Sequence, residues 1–330
     1  MDASRAKDVK KGTDADEARR RRGEASLQLR KNKKEEGLAK RRAMRSISSE
    51  GLNEAGANSV VNGEDDQGKA AFIAQCVSER NYNGLMEAMK SEDHEAQHAG
   101  LRGFRRLLSA EVNPPVQECI DCGAIPYFVS MLTCADRPSL QFEAAWALTN
   151  IASTDRTSVV VESGAVPHLC AALRSSHADT REQAAWCLGN VAGDGSALRD
   201  VVLQSGAMDA LVANVAQPAS ASLLRNSTWA LSNFCRGKPA PSLDTLKLAL
   251  PVLTGLINAA CAHGLDRSVE DAPQILPDKE TVVDAAWALS YISDGEDANI
   301  QAVCDTGVVG PLVEMLKSQT NQMIVPALRT

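Results

Sequence analysis

The sequence predicts an all-α protein whose body is a right-handed superhelical solenoid of three-helix repeats. The four tryptophans all stand in nearly the same short motif, at intervals of 40, 43 and 58 residues: WALTN from Trp146, WCLGN from Trp186, WALSN from Trp229 and WALSY from Trp287. A glycine marker accompanies this Trp–Asn motif, and its first two intervals are 41 and 42 residues: CGAIP at Cys122, SGAVP at Ser163, SGAMD at Ser205 and TGVVG at Thr306. Aromatic residues make up only 4% of the 330 residues, and alanine and leucine are abundant, which favours helices over sheets.

Each period contains three helical segments in a fixed order. The first is a short apolar segment (VQECID, TSVVVES, LRDVVLQS), which the marker glycine ends. The second (IPYFVSML, VPHLCAAL, MDALVANV) begins after that glycine, in two cases with a proline near its start. A third, longer segment carries the tryptophan. Three helices per period of about 40 residues are typical of armadillo repeats.

The rest of the chain divides around these repeats. Residues 1–45 form a basic arm, and residues 46–68, rich in Ser, Gly, Asn and acidic residues, are expected to be a disordered linker. Residues 69–330 hold armadillo repeats one to five and the start of a sixth. An inserted surface loop is expected near 261–280, where CAHGLDRSVEDAPQILPDKE contains two prolines and mixed charge. The final NQMIVPALRT begins another third segment and stops within the pattern, so we expect a truncated chain.

The net charge of −7 is unevenly distributed. Residues 1–45 carry 16 Lys and Arg against 8 Asp and Glu, and the remainder carries 19 against 34. A basic arm on an acidic body indicates an interaction segment that can also bind its own body. No apolar stretch approaches 18 residues and the N-terminus is charged, so neither a membrane span nor a secretory signal is expected. The nine cysteines should be reduced.

The Trp–Asn motif itself indicates a binding surface. Trp186 and Asn190 lie one turn apart on one helix face, with Gln183 beside them. Core packing is the alternative, but three buried asparagines at matching positions would each need a partner. Third helices also line the concave surface of an armadillo solenoid, so a ligand-binding array is favoured.

The spacing of that array predicts the ligand. Neighbouring helices stand about 8–10 Å apart and an extended peptide advances about 3.3 Å per residue, so each repeat meets about every third peptide residue. Asparagine can hold the peptide main chain, and parallel indoles suit the stems of lysine or arginine through cation–π attraction. Asp194, Glu280 and Asp284 lie near the ends or flank of the same helices and can meet the charged heads. The predicted ligand is an extended, lysine-rich peptide.

The arm RRRRGEASLQLRKNKKEEGLAKRR, from Arg19 to Arg42, resembles the importin-beta-binding segment of the importin alpha family, which are adaptors for nuclear import. RNSTWALSNFCRGKPAP and WALSYISDGEDANIQAV resemble that family's fourth and fifth repeats, so the resemblance covers essentially the whole chain. It implies two partners, cargo proteins with nuclear localisation signals and importin beta, and an indirect connection to the nuclear pore and export machinery. It further implies shuttling between cytoplasm and nucleus, with no cofactor, metal, nucleic acid or membrane.

The resemblance also assigns residues. Those implied to bind the localisation signal are Trp146, Asn150, Ser153, Thr157, Gln183, Trp186, Asn190, Asp194, Asn226, Trp229, Asn233, Glu280, Asp284, Trp287 and Tyr291. Those implied to bind importin beta are Arg19, Arg20, Arg21, Arg22, Arg30, Lys31, Lys33, Lys34, Lys40, Arg41 and Arg42, of which the last three also match an autoinhibitory mimic of cargo. The turn after Asn150 reads IASTDRT, two residues shorter than the family's usual turn, which supplies backbone acceptors to the key lysine pocket. The family's C-terminal half, with its minor signal site and exporter-binding repeats, is not matched.

Other functions receive less support from the sequence. HEAQH, with His94, Glu95 and His98, fits a zinc-hydrolase motif, but nearby arginines and its place in the first repeat favour an ordinary helix. CIDC, with Cys119 and Cys122, has thioredoxin-like spacing without a βαβ pattern and is interpreted as helix packing. No phosphate loop or nucleophile elbow is found, so no enzyme is predicted. The remaining alternative is a catenin-like armadillo scaffold for signalling or adhesion, which would lack the basic arm.

Overall fold

The protein is described by a computed structural model that covers residues 64–110, 113–264, 275–318 and 320–330. The chain divides into two units, residues 1–58 and 59–330, and all described residues belong to the second unit. These residues form eighteen α-helices and no β-strand. The predicted all-α class is therefore confirmed for this unit.

The helices follow one another as six groups of three. The first three repeats contain α1 (Glu64–Glu79), α2 (Tyr82–Met89), α3 (His94–Leu108), α4 (Val116–Asp121), α5 (Ile125–Leu132), α6 (Pro138–Ala152), α7 (Thr157–Glu162), α8 (Ala165–Ala172) and α9 (Ala178–Asp194). The next three contain α10 (Ser196–Gln204), α11 (Ala207–Ala216), α12 (Ala221–Cys235), α13 (Leu243–Lys247), α14 (Leu250–His263), α15 (Lys279–Ser293), α16 (Asp297–Asp305), α17 (Val309–Met315) and α18 (Asn321–Arg329). In the second to fifth groups the helices follow the predicted order of short, medium and long segments, whereas in the first and sixth groups the middle helix is the shortest.

The marker glycines separate the first helix of a repeat from the second. Gly123, Gly164, Gly206 and Gly307 all have φ between +74° and +77°. This left-handed conformation costs a residue with a Cβ atom roughly 1–2 kcal/mol, which explains why glycine recurs there. The predicted helix break at the marker is confirmed.

The third helices of neighbouring repeats stack on one another. α3 packs on α6, α6 on α9, α9 on α12, and α12 on α15. The alanines of the Trp–Asn motifs are buried at these contacts, Ala145 and Ala147 being two examples. Their small side chains let the helices approach closely, and they explain how a chain with few aromatic residues fills its core.

Two predicted boundaries differ from the helix bounds. α1 begins at Glu64, inside the segment expected to be a linker. The loop expected near 261–280 is helical at both ends, because α14 continues to His263 and α15 begins at Lys279. The arm, most of the linker and residues 265–274 lie outside the described residues.

One apolar segment is longer than the sequence analysis expected. Leu243–His263 spans 21 residues with a mean hydropathy of 1.5 and is long and apolar enough to cross a membrane. The segment is nevertheless divided between α13 and α14, and Leu253 and Ile257 of α14 are fully buried against the rest of the unit. We interpret it as a core helix pair, which passes the same length and hydropathy criteria.

The two weaker motifs lie in ordinary helical surroundings. In the HEAQH segment, Asp93 caps α3 by accepting a hydrogen bond from the Glu95 backbone N–H at 3.0 Å. Burial lowers the pKa of His98 in the same helix. Among the described residues, no cluster of three His, Cys, Asp or Glu side chains is placed to hold a metal ion. Cys119 is fully buried, burial raises its pKa, and Cys119 and Cys122 are both free thiols.

Candidate peptide-binding surface

The Trp–Asn motifs lie on four consecutive third helices, α6, α9, α12 and α15. We call the surface formed by their Trp, Asn and Tyr side chains the Trp–Asn surface. Trp186 and Trp229 are half-buried, whereas Trp146 and Trp287 are buried, with 6% and 9% of their surface exposed. The four indoles are therefore not equivalent, although the motif repeats.

The three asparagines connect neighbouring repeats. Asn190 Nδ2 donates a hydrogen bond to the Thr149 carbonyl at 3.3 Å, and Asn233 Nδ2 donates to the Gly189 carbonyl at 3.1 Å. Each acceptor belongs to the third helix of the preceding repeat. The need of buried asparagines for partners therefore does not count against core packing, because the preceding helix supplies its backbone carbonyls as acceptors.

Asn190 still has an unused acceptor. Its side chain is 2% exposed, and its Oδ1 accepts no hydrogen bond from the described residues. Oε1 of Gln183, two turns earlier and on the same face, likewise accepts no hydrogen bond from the described residues. A buried acceptor without a donor costs about 1–3 kcal/mol, so these two oxygens are polar groups whose hydrogen bonding the described residues leave incomplete.

A half-buried carboxylate that was not predicted from the sequence adjoins these residues. Glu182 accepts hydrogen bonds from Asn226 Nδ2 and from Ser222 Oγ, both at 2.7 Å. Burial raises the pKa of Glu182, although these two donors oppose the change. Asn226, expected as a flanking ligand contact, thus already donates to a neighbouring repeat. The sequence could have indicated Glu182, because it directly precedes Gln183, one of the residues expected to contact the ligand.

The shortened turn after Asn150 is held by hydroxyl groups. Ser153 Oγ donates to the Asn150 carbonyl at 2.7 Å. Thr157 Oγ1 lies between two carbonyls of the turn, 3.1 Å from that of Ala152 and 3.0 Å from that of Thr154. Two of the carbonyls near the predicted lysine pocket therefore already have a donor within the protein.

The acidic residues and the last repeat of the motif complete the surface. Asp194 is exposed at the end of α9, and Asp284 is buried on α15. Tyr291 replaces asparagine in the fourth motif and stacks on Trp287, with ring centroids 5.8 Å apart. Glu280 lies 3.5 Å from the guanidinium of Arg225, which also binds Asp278, the N-cap of α15. Burial would raise the pKa of Asp278, but hydrogen bonds from Thr281 and Arg225 outweigh it and lower that pKa.

Arg105 on α3 is a further residue that the sequence analysis did not identify. Its guanidinium carbon lies 4.2 Å from the ring centroid of Trp146, and its Nε donates to Glu143 at 2.7 Å. Arg105 precedes Trp146 by 41 residues, which is the repeat interval, so it occupies the tryptophan position of the first repeat. Ser109 occupies the asparagine position and accepts a hydrogen bond from Asn150 Nδ2 at 3.0 Å.

The residues expected to bind importin beta and to inhibit the surface lie outside the described residues. These are Arg19, Arg20, Arg21, Arg22, Arg30, Lys31, Lys33, Lys34, Lys40, Arg41 and Arg42.

Comparison with known proteins gives matches over both parts of the chain. The model of the importin beta binding domain matches residues 5–102, and the armadillo/beta-catenin-like repeat model matches residues 113–153, 153–193 and 195–236. A designed armadillo repeat protein of known structure superposes with a TM-score of 0.62 at 20% identity, covering 74% of this chain and 96% of that protein. An engineered protein superposes with a TM-score of 0.65 at 24% identity, covering 83% of this chain and 64% of that protein. These structures confirm the armadillo fold.

Curated relatives agree with the family models. Importin subunit alpha-2 of Arabidopsis thaliana is 44% identical over 94% of this chain and 54% of its own length. Importin subunit alpha-1b of Oryza sativa subsp. japonica is 47% identical over 74% of this chain and 43% of its own length. Importin subunit alpha-B of Dictyostelium discoideum is 41% identical over 99% of this chain and 58% of its own length. The chain thus spans about half the length of these relatives. An importin beta binding segment followed by armadillo repeats, at this identity over most of the chain, shows that the chain belongs to the importin alpha family.

Proposed function

We propose that this chain is a nuclear import adaptor. It binds the lysine- and arginine-rich localisation signals of cargo proteins on the Trp–Asn surface, and it links them to importin beta through its basic arm. The observation that carries the proposal is the pair of half-buried indoles, Trp186 and Trp229, on consecutive third helices, with Asn190 on the same face as Trp186. Membership of the importin alpha family supports the same role.

The chemistry of binding follows from the hydrogen bonds already made within the surface. Asn190 has one amide N–H engaged with Thr149 and an Oδ1 without a donor among the described residues, and a small rotation of this side chain lets Oδ1 accept a main-chain N–H of the peptide. Main-chain bonds hold the peptide extended whatever its side chains are. The stems of lysine or arginine pass beside the half-buried indoles, where cation–π attraction contributes about 0.5–2 kcal/mol per contact. The acidic body, with 34 Asp and Glu against 19 Lys and Arg outside residues 1–45, attracts the basic peptide.

Replacing Trp186 tests the peptide-binding proposal. We expect Trp186→Ala in the full chain to weaken binding of a lysine-rich signal peptide at least tenfold, about 1.4 kcal/mol. Phe72→Ala is the matched control, because Phe72 is an aromatic residue, 45% exposed, on α1, outside the Trp–Asn surface. Affinities are measured by titration at physiological salt, with thermal unfolding followed by circular dichroism. Equal affinities of wild type and Trp186→Ala, with equal melting temperatures, would contradict the proposal.

The arm is tested separately, again in the full chain. Replacing Arg19, Arg20, Arg21 and Arg22 by alanine should abolish capture by immobilised importin beta. Replacing Lys40, Arg41 and Arg42 by alanine should raise the affinity for the signal peptide, because a tethered segment competes at an effective concentration around millimolar. Undiminished capture would exclude the proposed link to importin beta, and unchanged peptide affinity would exclude autoinhibition by this segment.

Two consequences complete the proposed role. An adaptor of this kind shuttles between cytoplasm and nucleus and meets the pore and export machinery through its complexes, and we propose no catalytic activity for it. A catenin-like scaffold would share the armadillo repeats without an importin beta binding segment, so the capture experiment also separates the two functions.

A further inference from the structure

The first-repeat end of the Trp–Asn surface already contains an internal cation. The Arg105 guanidinium lies 4.2 Å from the Trp146 ring centroid. Its Nε and Nη2 donate to the two carboxylate oxygens of Glu143, at 2.7 and 3.2 Å. An aromatic face and a carboxylate that accepts two hydrogen bonds are the groups that would bind a lysine or arginine of a ligand.

This internal pair is well shielded from water. The side chains of Arg105 and Glu143 are 14% and 8% exposed, and Trp146 is 6% exposed. A second cation placed beside the Trp146 indole would have to displace Arg105 from Glu143 or approach it with like charge. Both are costly where water is largely excluded, since removing one partner of a buried ion pair leaves an uncompensated charge.

The neighbouring position is also engaged. Asn150, next to Trp146 on the same face of α6, donates to Ser109 Oγ at 3.0 Å and to the Arg105 carbonyl at 3.4 Å. Arg105 and Ser109 thus stand where later repeats have tryptophan and asparagine, and both contact the motif of the second repeat.

We propose that Arg105 and Glu143 determine specificity by closing the Trp–Asn surface at its first-repeat end. A basic side chain is excluded there, so the lysine-rich stretch of the peptide ends at Trp146 and the residues beyond it are not basic. This inference rests on the proposed function, because it concerns which peptides the same surface accepts. The Arg105 guanidinium acts as a repulsive charge against peptides that carry a basic side chain at this position.

Extended peptides test this inference. A lysine-rich core peptide is extended by three residues, Lys-Lys-Lys or Ala-Ala-Ala, at either its N-terminal or its C-terminal end. Three residues cover about 10 Å, which is the spacing of one repeat. The measured quantity is the ratio of affinities of the lysine- and alanine-extended peptides, in the full chain at matched physiological salt.

We expect the ratio at one of the two ends to depend on Arg105. At that end the lysine extension should change affinity less than about threefold in the wild type, and improve it tenfold or more in Arg105→Ala, where Glu143 is released to pair with the ligand. The double variant Arg105→Ala with Glu143→Gln should lose this gain. If Arg105→Ala does not fold, Arg105→Gln, which keeps a donor for Glu143, should show the same change at threefold or more.

Two outcomes would overturn the inference, and they are distinguishable. Equal ratios in wild type and variant at both ends would show that Arg105 does not limit the ligand, while leaving the proposed function intact. Failure of the wild type to bind the unextended core peptide would instead contradict the proposed function, and this inference with it.

Discussion

A methyl group at Gly189 would strike the Trp229 indole. Gly189 lies within α9, and an ideal Cβ atom there would be 2.4 Å from Trp229 Cζ3 and 2.9 Å from the Cβ of Ala230. Carbon atoms normally approach to about 3.5–4.0 Å, so in Gly189→Ala the indole has to move by about 1 Å. Gly189 therefore positions a residue of the Trp–Asn surface without belonging to it.

The magnitudes separate stability from binding. Overpacking of this kind costs about 1–3 kcal/mol, whereas alanine stabilises a helix interior by about 1 kcal/mol over glycine. The net loss of stability should therefore lie between about 0 and 2 kcal/mol. Peptide binding should weaken by about fivefold to tenfold, roughly 1–1.4 kcal/mol, because the displaced indole no longer borders the lysine stem.

The assay is peptide titration of the full chain, together with urea unfolding. Gly255→Ala is the matched control, because Gly255 is also a glycine within a helix, and an added Cβ there would meet nothing within 4 Å. That variant should be slightly stabilised and should bind peptide like the wild type. In addition, Gly189→Ala should have little effect on binding in a Trp229→Ala background, since the two changes act through one side chain. The reasoning would be refuted if Gly189→Ala bound the peptide as tightly as the wild type does. It would also be refuted if Gly189→Ala weakened peptide binding as much in the Trp229→Ala background as in the wild type.

Two further predictions concern stability. Burial raises the pKa of Glu182 above its ordinary value of 4.5, so the folded state holds the proton more tightly than the unfolded state does. The contribution of this group to the free energy of unfolding should therefore fall as pH rises above that value. Glu182→Gln should remove this part of the pH dependence in urea unfolding between about pH 4 and 7, and an unchanged dependence of stability on pH would contradict the prediction. Arg199 is fully buried and donates hydrogen bonds to the Arg236 and Pro239 carbonyls, both at 2.7 Å. Arg199→Met should therefore lower the free energy of unfolding in urea by about 3 kcal/mol or more, whereas Arg174→Met, at an exposed arginine, should lower it by less than about 0.5 kcal/mol. Equal losses in the two variants would show that the buried hydrogen bonds of Arg199 do not stabilise the fold.

Sequence periodicity was sufficient to predict the arrangement of the repeats. The marker glycines could be identified because a left-handed residue between two helices is strongly selective for glycine, and Gly164 and Gly206 have this conformation. The third helices could be placed because tryptophan is rare in this chain and recurs at the repeat interval. Both signals are local, so neither requires knowledge of which side chains meet.

Contacts between repeats could not be read in the same way. The hydrogen bond from Asn233 to the Gly189 carbonyl joins residues 44 positions apart, and its acceptor is main chain, which leaves no trace in the sequence. Arg105 was missed for a related reason. The search followed tryptophan, whereas the first repeat has arginine at that position and is recognised only by its register with Trp146.

The bonds that the asparagines make between repeats bear on how such an array can evolve. Asn190 and Asn233 donate to carbonyls of Thr149 and Gly189, two residues whose side chains have nothing in common. Every residue type offers the same main-chain carbonyl, so substitution of the accepting residue preserves the bond as long as the helix remains. A duplicated or exchanged repeat would bring its own asparagine and find an acceptor in any neighbouring third helix. The repeat that carries the asparagine thus supplies the only side chain that the hydrogen bond requires. The number of repeats can therefore change without coordinated mutations in adjacent repeats.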